Sequence, residues 1–125
     1  SKKDNMMMVY LKILLIITAG IFSAFGNLYL KKFSIKSKNI FEGIISFDYE
    51  LIIGLLFYVL NLLLFIVALK SINVSKAYPI LAATSFLTTY YLANLFLGEK
   101  IEFTQVIGIG IILTGIIVLS STMNQ

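Results

Sequence analysis

Residues 9–30 read VYLKILLIITAGIFSAFGNLYL, an apolar run of 22 residues broken only by Lys12 near its start. At about 1.5 Å of rise per residue, a helix of this length crosses a hydrocarbon core of about 30 Å. Backbone N–H and C=O groups find no water in lipid, so helix is the state such a block adopts. A cleaved signal peptide would need a shorter apolar core and a small-residue cleavage site. This block is longer and ends in Tyr29-Leu30-Lys31-Lys32, so a retained membrane helix is expected.

Three more blocks follow, at about 51–69, 77–97 and 104–121. Each is close to the length a spanning helix needs. The expectation is an all-α integral membrane protein, a four-transmembrane-helix bundle forming a single domain over residues 1–125. The longest loop, from Lys31 to Glu50, carries Ile40, Phe41, Ile44 and Ile45 at helical spacing. A short helix lying in the interface and a simple coil both fit it. Gly98 suits a helix C-cap, and Gly98-Glu99-Lys100 reads as a helix-end turn with a local ion pair. Pro79 is expected in the first turn of the third span, where proline is tolerated.

Composition narrows the function. The chain is 59% hydrophobic and 13% charged, against about 25% charged in a typical soluble domain. Cysteine and histidine are both absent. That removes disulfides, thiol nucleophiles, the commonest general base and the commonest metal ligands. No enzyme, cofactor or metal is expected. All 10 basic residues are lysines, and they sit at helix ends. There they read as interfacial anchors and not as a nucleic-acid surface.

Those lysines leave the orientation open. With four spans, Lys2, Lys3, Lys12, Lys70 and Lys76 share one side, and Lys31, Lys32, Lys36, Lys38 and Lys100 the other. A balanced count sets no orientation. One reading is dual topology, with the chain pairing antiparallel with itself. The other is that the first five residues are not native, or that the natural start is Met6, Met7 or Met8. The long first loop then faces the cytoplasm.

Several polar residues stand inside the apolar blocks. Ser23, Asn27 and Lys31 are spaced by four and share one helix face. They read either as a groove for a sugar-phosphate head, with Lys31 or Lys32 on the phosphate, or as interhelical hydrogen bonds with snorkelling lysines. Thr84, Thr88 and Tyr91 follow i, i+4, i+7 on the third span, with Ser85 and Thr89 alongside. That face is expected toward the interior, joined by Tyr58 and Asn61. Tyr78 reads as a site residue or an interface aromatic. On the last span, Gly108, Gly110 and Gly115 allow close helix approach. A dimer is expected, since one four-helix unit can hardly enclose a large head group.

The second half reads Lys76-Ala77-Tyr78-Pro79-Ile80, then a span ending Phe96-Leu97-Gly98-Glu99-Lys100-Ile101, then Gln105-Val106-Ile107-Gly108 and a helix with Gly110 and Gly115. With Gly26 and Leu30-Lys31-Lys32-Phe33-Ser34, this resembles the drug/metabolite transporter superfamily, in its four-helix, small multidrug resistance-like (EamA-like) form. The resemblance implies that Tyr78 lines the site and that the last helix makes the dimer contact. Proton-coupled members carry a glutamate in mid-helix one, where this chain has Ser23. Leu81 replaces a tryptophan, and Ala83 and Ser85 replace glycines.

A closer resemblance is to the glutamate-lacking small subunits proposed to flip undecaprenyl-phosphate-linked aminoarabinose. It implies a homodimer or heterodimer in the bacterial or archaeal cytoplasmic (inner) membrane, handling a lipid such as a polyprenyl-phosphate-linked sugar. A charged group at mid-bilayer is costly and usually functional; its absence disfavours a lipophilic cation as substrate. Export of small metabolites or drugs is the alternative. An accessory subunit that moves nothing is the reading from another class.

Overall fold

In the computed structural model, residues 2–36 and 39–121 are described, all helices and short turns. Lys38 of the lysine count and Ser1 lie outside them. The elements are α1 (Lys2–Lys36), α2 (Ile40–Ile45), α3 (Tyr49–Leu69), α4 (Val74–Leu97) and α5 (Phe103–Ser121). Every expected helix is present, and each begins earlier than its apolar block. The reason is that helical propagation needs backbone continuity and good caps, not apolarity. With no proline before Pro79, α1 runs on through its flanking lysines to 35 residues, roughly 50 Å. Its lysine-bearing ends therefore overhang the hydrocarbon.

Local chemistry sets the other boundaries. Asp48 caps α3, accepting from the backbone N–H groups of Glu50 at 3.0 Å and Leu51 at 3.5 Å. α4 ends on Gly98 in the left-handed region, φ +68°, where the absent Cβ removes the strain. The N–H groups of both Gly98 and Glu99 donate to the Ala93 carbonyl. Gln105 Oε1 accepts from the Glu102 N–H at 3.0 Å, one half of a capping box at the start of α5. Pro79 is not in the first turn of its helix. α4 starts at Val74, so Pro79 falls in the second turn and withholds a helical bond from the Ser75 carbonyl.

α1 is the centre of the assembly. It packs antiparallel on α3 and parallel to α4, whereas α3 and α4 barely touch. The close approaches are made by glycines. A Cβ on Gly26 would lie 3.2 Å from the Gly54 carbonyl oxygen of α3, and one on Gly20 would lie 3.2 Å from the Leu81 carbonyl oxygen of α4. Phe57 of α3 packs its ring on Phe22, Phe25 and Tyr29 of α1 at centroid distances of 5.8, 5.6 and 5.9 Å. At one end Ile16, Ala68, Ile72 and Ala77 form a buried cluster.

The outer surface is apolar. Leu56, Leu62, Ile111 and Ile117 are all more than half exposed, an arrangement costly in water and neutral in lipid. α1, α3 and α4 are long and apolar enough to cross a membrane, with mean hydropathies of 2.1, 2.8 and 1.4. α5 is a shorter apolar helix over Phe103–Leu119. Among the described residues it touches α4 alone. Among the described residues, the packed unit of a single chain is therefore α1 with α3 and α4 against it, and α5 is held to this unit through α4.

The long loop holds a helix, α2. Gly43 is its buried position; a Cβ there would lie 2.4 Å from the Phe33 ring and 3.0 Å from Leu51. Ile40, Phe41, Ile44 and Ile45 face outward, as an interfacial helix requires. Lys36 clamps this end, with Nζ 3.0 Å from Asp48 Oδ2 and 3.1 Å from Glu50 Oε1. The Lys36 hydrogen bond holds the Asp48 carboxyl below its ordinary 3.8. A depressed folded value means the stabilisation is present above 3.8 and is lost as pH falls through the folded value. Protection of amides 40–51 against exchange, relative to the intrinsic rate at each pH, is expected to hold from pH 7 to 5 and to fall only below about 4. Lys36→Met is expected to weaken that dependence, leaving the part that comes from the Asp48 cap on Glu50 and Leu51; an unchanged profile in the variant would show the clamp to be idle.

Candidate functional site

Two polar rungs join α1 to α4. Ser23 Oγ and Ser85 Oγ are 3.0 Å apart, and Asn27 Nδ2 donates to Thr89 Oγ1 at 3.1 Å. Both pairs are separated by 62 residues, which is what two parallel helices in constant register produce. Tyr58 of α3 donates its hydroxyl to Asn27 Oδ1. Asn27 thus ties all three packed helices together, using both ends of its amide.

A half-open cavity of about 470 Å³ lies against these rungs. Its polar wall includes Ser23, Asn27, Asn61, Ser85 and Thr89, and its apolar and aromatic wall Tyr78, Leu81, Ala82, Phe86 and Tyr90. The Phe86 and Tyr90 rings stack at 5.9 Å. None of the lining residues is charged. A second cavity, about 200 Å³, shares Asn27 and Thr89 with the first and reaches Lys31 and Glu99. The uncharged chamber therefore meets a charged vestibule at the Asn27–Thr89 rung.

The candidates from the sequence divide. Ser23, Asn27, Asn61 and Tyr78 meet at the first cavity and Lys31 at the second; Tyr58 is joined through Asn27. Lys32 turns to the other flank of α1, with Nζ 5.4 Å from the centre of the Tyr29 ring. Thr84 packs at Gly20 and gives its hydroxyl to the Ile80 carbonyl at 2.9 Å. Thr88 and Tyr91 are not among the residues lining either cavity, and Tyr91 is 64% exposed. Ser85 and Thr89, on the stripe beside Thr84, are the pair that hydrogen-bonds to α1. Their matching spacing of four was the available signal. A Cβ on Gly108, Gly110 or Gly115 would meet nothing within 4 Å, so these glycines lie open on α5. Among the described residues no metal-binding cluster is present.

The chain matches the EamA-like transporter family over residues 15–121. It is 36% identical over 111 residues to the uncharacterized protein y4nH of Sinorhizobium fredii, covering 86% of this chain and 93% of that protein. It is 40% identical over 67 residues to the quaternary ammonium compound-resistance protein QacF of Klebsiella aerogenes, covering 54% of this chain and 56% of that protein.

Proposed function

This chain belongs to the EamA-like transporter family of multi-pass membrane proteins, and from that premise we propose that it moves a lipid-linked sugar or similar amphiphile across the cell membrane. The observation that carries this reading is the uncharged polar chamber joined at Asn27 and Thr89 to a vestibule with Lys31. A hydroxylated head fits the chamber, a phosphate fits the lysine, and an acyl or polyprenyl tail stays in lipid. No membrane-embedded carboxylate takes part.

The working unit in this reading has four spanning helices per chain. Two copies, or one copy with a similar subunit, meet through Gly108, Gly110 and Gly115 of α5, whose open glycines favour helix contact. The second reading is export of drugs or small metabolites, favoured by the likeness to a quaternary ammonium compound-resistance protein.

Flipping of a fluorescent polyprenyl-phosphate-linked sugar in proteoliposomes tests the first reading. Lys31→Ala together with Lys32→Ala is expected to lower the rate about tenfold, the loss of one charge-assisted contact. Since Lys31 borders the vestibule and Lys32 lies over Tyr29, Lys31→Ala alone should give most of that effect. Equal rates in all three proteins would remove the phosphate role.

A further inference from the structure

Among the described residues, the buried side-chain hydrogen-bonding atoms of the larger cavity are paired within the chain with one exception. Asn27 uses its oxygen for Tyr58 and its nitrogen for Thr89. Ser23 and Ser85 bond each other. The exception is Asn61, which α3 contributes to the cavity wall. Its Oδ1 is buried and has no hydrogen-bond partner. Buried amide oxygens are nearly always paired, so an unpaired one in a cavity wall calls for a donor from elsewhere.

The surroundings restrict what that donor is. The lining carries no carboxylate, so an ammonium brought there would stay without a counter-charge in a low-dielectric site. A quaternary ammonium has no N–H or O–H to offer in any case. A neutral hydroxyl satisfies the oxygen without that penalty. Tyr78, Phe86 and Tyr90 line the same cavity, and their rings suit the C–H faces of a sugar ring.

We infer that Asn61 is the specificity-determining acceptor of this cavity, selecting amphiphiles with a neutral polyhydroxylated head and rejecting quaternary ammonium heads. The inference rests on the cavity being the substrate site. It assigns a sorting role to one α3 residue, where the transport reading needs only the two cavities and Lys31.

Two probes with the same tail test it, octyl glucoside and octyltrimethylammonium. Each is titrated against the full chain in lipid nanodiscs, with partitioning into empty nanodiscs subtracted. The wild-type protein is expected to bind the glucoside at least tenfold more tightly. Asn61→Leu should weaken glucoside binding about tenfold, the worth of one hydrogen bond, and leave the ammonium unchanged. Asn61→Asp supplies a counter-charge and should shift preference toward the ammonium; it keeps the test open where the leucine variant fails to assemble. Equal glucoside affinity in wild type and Asn61→Leu, or a wild-type preference for the ammonium, overturns the assignment. The expected binding pattern without flipping of the lipid-linked sugar leaves Asn61 in its role and removes the transport substrate instead.

Discussion

Gly26→Leu is expected to destabilise the helix assembly by about 2–3 kcal/mol, near the upper end for overpacking a well-filled site. A Cβ at Gly26 would fall 2.7 and 2.8 Å from two carbons of the Tyr58 ring and 3.2 Å from the Gly54 carbonyl oxygen. The ring cannot swing freely, because its hydroxyl is bonded to Asn27. The carbonyl belongs to the α3 backbone and cannot move without the helix. α1 and α3 must therefore separate, and the Phe57 stack with Phe22, Phe25 and Tyr29 loosens with them. The readout is the midpoint of reversible unfolding in mixed micelles. Val59→Leu is the control, since that α3 side chain is half exposed on the outer surface. Matching midpoints for the two variants would mean that the α1–α3 crossing adapts and is not fixed by glycine.

Asn27→Leu is expected to separate function from stability. The change keeps the volume but removes both bonds of the amide, to Tyr58 and to Thr89. Hydrogen bonds between helices in membranes contribute about 0.6 kcal/mol each, so unfolding should shift by only about 1 kcal/mol. Transport should fall far more, on the order of tenfold to a hundredfold, because several polar groups lose their places at once. Asn27 borders both cavities, and its loss puts an apolar side chain at their junction. Tyr58 and Thr89 are left to find other partners, which disorders the wall on both sides. Flux in proteoliposomes beside the unfolding midpoint decides it. A stability loss as large as that of Gly26→Leu, with flux falling only in proportion, would make Asn27 a structural strut alone.

The helical, membrane-spanning character was legible because an apolar block of about 20 residues has few other fates. The ladder of Ser23, Asn27 and Lys31 was legible too, since polar side chains in such a block are costly enough to stand out. The partner face on α4 was not. Thr84, Thr88 and Tyr91 form one polar stripe and Ser85 and Thr89 the adjacent one, about 100° around the helix. Periodicity cannot choose between neighbouring stripes. The choice is made by the Gly20 crossing, which seats Thr84 against the α1 backbone and leaves Ser85 and Thr89 toward Ser23 and Asn27. The position of α5 was illegible for a related reason. Its sides are almost uniformly apolar, and lipid and protein interior select the same residues, so no pattern marks which side meets α4.

The connectivity around α1 fixes an order of assembly during synthesis. α1 enters before α3, which finds its antiparallel partner already in the membrane. α4 then docks on the face of α1 that α3 leaves open. Among the described residues, every contact of α1 is complete once Leu97 has been made. α5 follows, held through α4 alone. The surface with the open glycines therefore follows α1, α3 and α4, whose mutual packing is by then in place. A helix that emerged early with such a surface would compete for α1 and trap wrong pairings. The late helix cannot, and so the chain order itself protects the polar rungs while they form.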